Sequence, residues 1–433
     1  MLGMFVIIIM LMAEIGFATY CLITRSYQKK ARSILVLSAL AVFVLLSLLG
    51  VLSWGFRWFM LGVILLIKAV WAVMYFRKLN DRKVSNFRPK YVILSGVRNI
   101  FLLGFAILPA VIFPQFQPVE TTGTYEVKTV SYTLEDTSRR ESFSDQEENR
   151  RVTVQFWYPD TEDETFPLTV FSHGSFGFRG SNASTFEELA SNGYVVCSID
   201  HTYHAFFTKQ TDGKMILVNT KFMNDAIAVT NDDYDEKTTY ELTGQWLTLR
   251  TQDMNFVLDE IISQVNQPSS DEVYHRIDQE RIGLFGHSLG GATAAKLGRD
   301  RKDVDAVIVV DGTMLGEEIG FKDGKTVLDE TPYPVPLLNL YNEEHYEGAN
   351  QQGMDYANTY ASKHAKDARD IVILGAGHLN FTDLPLFSPT LAAMLGTGEV
   401  DSRYCVETMN HVILTYFNHY LKDVQDIELS SQY

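Results

Sequence analysis

Long runs of apolar residues occupy the first quarter of the chain, whereas the remainder alternates short apolar runs with polar segments. Four of the early runs, over 4–23, 34–54, 58–76 and 91–113, reach the length of about 20 residues that a helix needs to cross a bilayer. Buried helices of soluble proteins rarely come as four such runs joined by short basic links. The pattern therefore predicts a transmembrane region of four helices over residues 1–118.

The links between the apolar runs differ in charge, and this difference predicts their orientation. The second link contains one basic residue, Arg57. The first link contains four, Arg25, Lys29, Lys30 and Arg32, and the third contains six, Arg77, Lys78, Arg82, Lys83, Arg88 and Lys90. Because basic links remain in the cytoplasm, both ends of the region are predicted to lie outside it. The first run is too long for a signal peptide and its positive charges follow it, so we expect it to be retained.

Two ionisable residues, Glu14 and Lys68, fall at similar depth inside the predicted spans. An ionisable group at that depth is costly unless it is paired or reaches the interface. We expect either a Glu14–Lys68 pair, or a protonated Glu14 with Lys68 extending toward the interface, and Arg98 nearer the cytoplasmic side.

From Arg151 onward, short apolar runs typical of buried strands alternate with helix-forming segments. This alternation predicts an α/β fold over residues 119–433, in which helices flank a mainly parallel sheet. Residues 201–245 interrupt the alternation with Asn, Asp, Thr and aromatic residues. We interpret them as an insertion that forms either a lid or a surface excursion.

The most informative motif is Gly-His-Ser-Leu-Gly-Gly at residues 286–291, which lies between a strand-like run and a helix-forming segment. A G-x-S-x-G turn in that context raises the serine hydroxyl out of the sheet. The motif therefore predicts Ser288 as a nucleophile. The alternative is a glycine-rich turn in which the serine only caps the helix.

A serine nucleophile needs a base and a group that orients the base. Asp311 ends the apolar run 303–310, and His378 follows the apolar run 370–374, which gives the chain order Ser, Asp, His of an α/β-hydrolase triad. Alternatively, Asp311 begins a turn and His378 is a solvated loop residue. Glu343 and Glu344 are the alternative acids, and we favour Asp311 because one helix and one strand separate it from Ser288.

The mechanism also needs donors for an oxyanion. The run 168–172 leads into His-Gly-Ser-Phe-Gly at 173–177, a loop of the kind that supplies one backbone N–H, and Leu289 would supply the other. The remaining histidines fit catalysis less well: His275, His345 and His364 are interpreted as surface residues, and His411 and His419 as part of a C-terminal helix. His201 and His204 lack further residues that would complete a metal site, so we expect no metal and no cofactor.

Six segments carry a resemblance to a known family: RVTVQFWYP (151–159), TVFSHGSFGFRG (169–180), ASNGYVVCSIDH (190–201), IDQERIGLFGHSLGG (277–291), VIVVDGTM (307–314) and GHLNFTDLPLF (377–387). With a similar C-terminal tail, they resemble the plasma-type and type II platelet-activating factor acetylhydrolases and their bacterial relatives over nearly all of residues 120–425. The resemblance implies an α/β-hydrolase fold and hydrolysis of short-acyl esters without a metal. It implies Ser288 as nucleophile, Asp311 as orienting acid, His378 as base, and an oxyanion hole formed by the Ser175 and Leu289 N–H groups. The first 118 residues depart from the family's animal enzymes.

Charge divides the chain at the same point as hydropathy. Residues 1–118 carry 13 basic and two acidic side chains, and the remainder carries 24 basic and 51 acidic ones, for net charges of +11 and −27. A domain at −27 repels nucleic acid and anionic headgroups, so we expect no nucleic-acid partner. The acidity favours a water-soluble ester or a dispersed lipid as substrate, or serves only solubility.

Three cysteines in 433 residues exclude a disulfide scaffold, and we expect Cys197 and Cys405 to be buried free thiols. These observations predict a multi-pass cell-membrane protein whose catalytic domain lies outside the cytoplasm and acts as a serine ester hydrolase on short-acyl carboxylic or lipid esters. The alternatives are a peptidase or acyltransferase on the same fold, and a non-catalytic membrane protein that senses or binds.

Overall fold

The computed structural model describes residues 2–77, 86–162, 164–425 and 428–433. The chain divides into two compact units, one of Met1–Gln117 with Pro385–Met394 and the other of Pro118–Leu384 with Leu395–Tyr433. Lys78, Arg82 and Lys83 of the third basic link lie outside the described residues.

The first unit contains α1 (Leu2–Ile23), α2 (Lys29–Leu48), α3 (Phe56–Arg77) and α4 (Pro89–Ile112). All four helices are long and apolar enough to cross a membrane, with mean hydropathies from 1.9 to 2.3. The second helix ends at Leu48 and not at 54, because Gly50, two residues further on, adopts a φ of +72°. Large apolar side chains point outward, and Trp71 and Phe101 are 65% and 79% exposed, which is the surface that lipid contact requires.

Polar side chains from all four helices meet inside the first unit. The Glu14 carboxylate accepts hydrogen bonds from Arg32 at 2.8 Å and from Asn99 at 3.2 Å. Lys68 Nζ donates to Asn99 Oδ1 at 3.2 Å, and Arg32 also contacts Ser95 at 3.4 Å. Among the described residues, Glu14 and Lys68 form no direct ion pair, so the expected direct Glu14–Lys68 pair is wrong. Arg32, which the sequence placed in a link, lies in the first turn of α2 and reaches the carboxylate, and Asn99 separates the two expected partners.

The second unit alternates strands and helices, as the sequence predicts. The elements that follow residue 118 in the chain are β1 (Val127–Arg140), β2 (Asn149–Pro159), β3 (Phe166–Ser172), α5 (Ala183–Ser191), β4 (Val195–Asp200), β5 (Phe207–Lys209), β6 (Met215–Leu217), α6 (Thr220–Thr230), α7 (Glu236–Val265), β7 (Ile277–His287), α8 (Leu289–Asp300), β8 (Ala306–Val310), β9 (Glu318–Lys322), β10 (Lys325–Leu328), β11 (Leu337–Asn342), α9 (Glu343–Gln352), α10 (Ala357–His364), β12 (Ala368–Ile373), α11 (Leu384–Phe387), α12 (Pro389–Leu395) and α13 (Ser402–Lys422).

Eight strands form the central sheet in the order β1-β2-β4-β3-β7-β8-β11-β12. The strands from β4 to β12 in this order pair in parallel, whereas β2 pairs antiparallel with both β1 and β4. The expected mainly parallel sheet is confirmed. The carboxyl ends of β3, β7, β8 and β12 consequently lie along one edge, where α/β proteins place their ligands.

Alternate residues of the central strands face different helices, as the twofold repeat of a strand requires. Leu284 of β7 belongs to one core cluster with Met254 of α7 and Ala294 of α8. Its neighbour Phe285 packs edge-on against Phe417 of α13, with ring centroids 5.7 Å apart. Helices thus cover both faces of β7 and hold it rigidly beneath the loop that follows it.

Candidate active site

Ser288 lies between the end of β7 and the start of α8, in a backbone conformation that few non-glycine residues adopt. Its φ is +55° and its ψ is −126°. Such strain persists only where the surroundings enforce it, and it is characteristic of the nucleophile turn of α/β hydrolases. The Ser288 N–H donates to the Val310 carbonyl at 2.8 Å, so the turn is tied to the end of β8.

The turn that contains Ser288 requires a glycine at position 290, where its backbone passes closest to the end of β3. A Cβ on Gly290 would lie 1.9 Å from the Ser172 carbonyl oxygen at the end of β3. No side chain fits at that distance, so the small residue lets the start of α8 approach the loop that follows β3. The motif's spacing is thus explained by close packing as well as by the serine.

The structure brings Asp311 and His378 together at the same sheet edge. The His378 Nδ1 donates to Asp311 Oδ2 at 2.6 Å. The Asp311 side chain is fully buried, whereas the His378 side chain is 44% exposed and accessible to a substrate. Burial raises the pKa of Asp311, but hydrogen bonds from His345 and His378 lower it more, so this pKa lies well below its usual range and the group is ionised.

The structure also places the alternative acids. Glu343 Oε2 accepts the Gly375 N–H at 2.8 Å, in the loop after β12, and Glu344 is exposed. Within the described part of the chain, neither carboxylate is hydrogen-bonded to His378.

His345 was interpreted from sequence as a surface residue, and this was wrong. Its Nδ1 lies 2.9 Å from Asp311 Oδ1, and its Nε2 lies 2.5 Å from the Tyr356 hydroxyl. The residue lies in the first turn of α9, directly after β11, so it reaches the edge where Asp311 ends β8. Two histidines therefore share one carboxylate. His275 and His364 are exposed, as expected.

His287 precedes the nucleophile and holds the backbone of His378. Its Nε2 lies 3.1 Å from the His378 carbonyl oxygen, and the two rings are 4.5 Å apart. Burial lowers the pKa of His287 to about 3, so the ring is neutral and donates one N–H to that carbonyl. In the sequence, His287 stands out only as a residue of the Gly-His-Ser-Leu-Gly-Gly motif.

Ser175 and Leu289 present two backbone N–H groups near the nucleophile. Leu289 is the first residue of α8, where a helix leaves its N–H groups without intrahelical partners. Ser175 lies in the turn after β3. Among the described residues, neither N–H donates a hydrogen bond to the protein, so both are free for a ligand oxygen.

The insertion and the residue that follows it contribute apolar side chains beside the turn that contains Ser288. Phe222 of α6 and Trp246 of α7 form one cluster with Leu289 and Ala292, the residues that begin α8. Phe176, next to Ser175, packs against Phe222 with ring centroids 5.8 Å apart. These apolar side chains thus lie directly beside the residues that flank the nucleophile.

Two further sequence expectations concern cysteines and metals. Cys197 and Cys405 are buried free thiols, as expected. In the described ranges, no group of three or more His, Cys, Asp or Glu side chains is arranged to hold a metal ion.

The chain is similar to known proteins in sequence and in fold. The sequence profile described as platelet-activating factor acetylhydrolase, isoform II, matches residues 150–430. The chain is 25% identical over 279 residues to the platelet-activating factor acetylhydrolase of Canis lupus familiaris, an overlap that covers 60% of this chain and 58% of that one. It is 23% identical over 289 residues to the Cavia porcellus protein of the same name, with 63% and 61% covered. The chain thus spans about three fifths of the length of these relatives.

Among solved structures, the ferulic acid esterase from Streptomyces cinnamoneus is similar, with a TM-score of 0.55 and 22% identity. The similarity covers 73% of this chain and 97% of that one. It confirms the α/β-hydrolase fold of the second unit.

Proposed function

We propose, from the premise that the chain belongs to the platelet-activating factor acetylhydrolase, isoform II, family, that it is a membrane-anchored serine ester hydrolase. Ser288 attacks the ester carbonyl, His378 takes the hydroxyl proton, and Asp311 orients His378 and stabilises its charged form. The Ser175 and Leu289 N–H groups donate to the oxyanion. The observation that carries the proposal is the 2.6 Å hydrogen bond between His378 and a buried Asp311, at the edge where the strained Ser288 lies.

The reaction proceeds in two halves. In the first, His378 returns its proton to the leaving alcohol as the acyl group transfers to Ser288. In the second, His378 takes a proton from water, the resulting hydroxide attacks the acyl-enzyme, and the acid leaves as Ser288 regains its proton. Neither half requires a metal or a cofactor.

The surroundings of the nucleophile support the substrate class that we propose. Phe222 and Trp246 belong to one apolar cluster with Leu289 and Ala292 at the start of α8. We infer that the Phe222 and Trp246 side chains limit the space for an acyl chain, which supports a short-acyl carboxylic or lipid ester. Their position in and beside the insertion favours its interpretation as a lid. A peptidase or an acyltransferase on the same fold is the second candidate, and a non-catalytic membrane sensor the third.

A panel of p-nitrophenyl esters tests both the reaction and the acyl length. With the 433-residue chain in detergent, we expect kcat/KM to be highest for acetyl and butyryl esters and to fall for octanoyl esters. Phe222→Ala should raise the octanoyl-to-acetyl ratio of kcat/KM by about tenfold, because a methylene in an apolar pocket is worth about 1–3 kcal/mol.

Ile227→Ala, on the exposed side of the same helix α6, is the matched control and should leave the ratio unchanged. A parent enzyme that prefers octanoyl would contradict the short-acyl assignment. Faster cleavage in a parallel peptide panel would favour the peptidase.

We also propose that the four helices cross the cell membrane with both ends of the region outside the cytoplasm. Ser53→Cys and Ser26→Cys form a matched pair, since both serines are exposed and lie in the second and first links. In whole cells, a membrane-impermeant maleimide should label Ser53→Cys and not Ser26→Cys, and disruption of the membrane should allow both to react. The parent is a suitable background because Cys21, Cys197 and Cys405 are buried. The reverse labelling would invert the orientation.

A further inference from the structure

Arg250 lies in the middle of α7 with its side chain fully buried. Its Nη1 donates to the His173 carbonyl oxygen at 2.5 Å, and its Nη2 to the Gly174 carbonyl oxygen at 3.4 Å. Its Nε donates to His204 Nδ1 at 3.4 Å. Within the described ranges, two of the three hydrogen-bond partners of Arg250 are thus backbone carbonyls of the loop after β3, and none is a carboxylate.

A second buried arginine shows how unusual this arrangement is. Arg150 is equally buried, but it pairs with Asp253 at 2.6 Å and with Glu141 at 2.8 Å. A buried charge without such a pair is costly. Burial lowers the pKa of Arg250 to about 9, which reflects that cost. Local rules are broken in this way mainly at functional sites, so the loop that receives the guanidinium calls for a functional explanation.

The geometry of the peptide bond supplies that explanation. In a trans peptide the C=O of one residue and the N–H of the next point in opposite directions. Since the Gly174 C=O points at Arg250, the Ser175 N–H points away from it. We propose that Arg250 is a positioning residue, which turns the Gly174–Ser175 peptide so that the Ser175 N–H faces the oxyanion. This inference rests on the proposed function.

Two further contacts hold the same peptide and place it over the nucleophile. The Gly174 carbonyl oxygen also accepts from His173 Nδ1 at 2.7 Å and from the Gly177 N–H at 3.1 Å. A Cβ on Gly174 would lie 3.2 Å from Ser288 Cβ, so this backbone passes directly beside the reacting residue. Three donors on one carbonyl fix the direction of the Ser175 N–H before substrate arrives, which is the preorganisation that oxyanion stabilisation requires.

The test compares the hydrolysis of an ester with that of its thiono analogue by the 433-residue chain in detergent. A thiocarbonyl sulfur accepts hydrogen bonds weakly, so the oxo-to-thiono ratio of kcat reports the oxyanion donors. Loss of one donor costs about 10²–10³ in kcat, and we expect a misplaced one to cost about 10–100-fold. Arg250→Met should lower kcat by that amount with KM within about threefold, and should reduce the oxo-to-thiono ratio by about tenfold. Arg250→Lys should give an intermediate loss, since an ammonium cannot span two carbonyls as the planar guanidinium does.

Arg150→Met is the matched control. It should lower the melting temperature, but its oxo-to-thiono ratio of kcat should equal that of the parent. If Arg250→Met does not fold, the oxo-to-thiono ratio of Arg250→Lys tests the role of Arg250 instead. An unchanged ratio in Arg250→Lys, with Ser288→Ala inactive, would overturn the role of Arg250 and leave the proposed function standing. Turnover by Ser288→Ala would instead refute the proposed function itself.

Discussion

Replacing Ser288 with alanine is expected to abolish ester hydrolysis, with a fall in kcat of about 10⁶, as loss of the nucleophile causes in another serine hydrolase. The residual rate would come from binding and the oxyanion donors alone. A serine-directed fluorophosphonate should label the parent at Ser288 and leave the alanine variant unlabelled. Peptide mapping of the labelled chain and steady-state kinetics measure the two effects separately.

The fold should survive this substitution. The strained turn at Ser288 is imposed by neighbours, through the Val310 carbonyl and the close approach at Gly290, and not by the hydroxyl. Ser263→Ala, at an exposed position on α7, serves as the matched control and should retain both labelling and turnover. An alanine variant at position 288 that keeps turnover within about tenfold of the parent would rule out the serine mechanism.

The sequence was informative where a feature of the fold or the site depends on a few consecutive residues. The strand-turn-helix context of Ser288, and the apolar runs that end just before Asp311 and His378, each carry a local signal. Parallel pairing of the strands then brings these ends to one edge without further information. This is why the mainly parallel sheet and the four long apolar helices could be predicted from the sequence.

Contacts between distant elements left no such signal. His345 lies 34 positions from Asp311 in the chain and has ordinary polar neighbours, and the two meet because β11, which leads into α9, pairs in parallel with β8. Arg250 falls within a helix of mixed composition, and nothing local indicates that its side chain points inward. The apolar run predicts a helix that starts at residue 34, so Arg32 falls in a link, whereas α2 begins at Lys29 and includes Arg32. A difference of a few residues in the helix boundary thus decides whether this arginine reaches Glu14.

The acid of the triad provides the second large effect. Asp311→Asn is expected to reduce kcat by up to about 10⁴, by analogy with other triads in which the amide selects the wrong tautomer of the histidine. Asparagine is the fitting substitution because Asp311 has a φ of +50°, and asparagine tolerates that region. We therefore expect the variant to fold, with a lower melting temperature, and steady-state kinetics with a butyryl ester to show the loss.

The hydrogen-bond count explains why the amide cannot substitute for the carboxylate. Four donors converge on Asp311: the Nδ1 atoms of His378 and His345, and the N–H and Nδ2 of Asn342. An amide presents one oxygen, so its NH₂ must face donors on the other side, and His378 or His345 turns its ring or changes tautomer. Glu343→Gln is the matched control, because its amide oxygen still accepts the Gly375 N–H, and its activity should stay near that of the parent. If Glu343→Gln collapses while Asp311→Asn stays within about tenfold of the parent, the acid belongs to the strand that follows, and His345 rather than His378 is the main partner of Asp311.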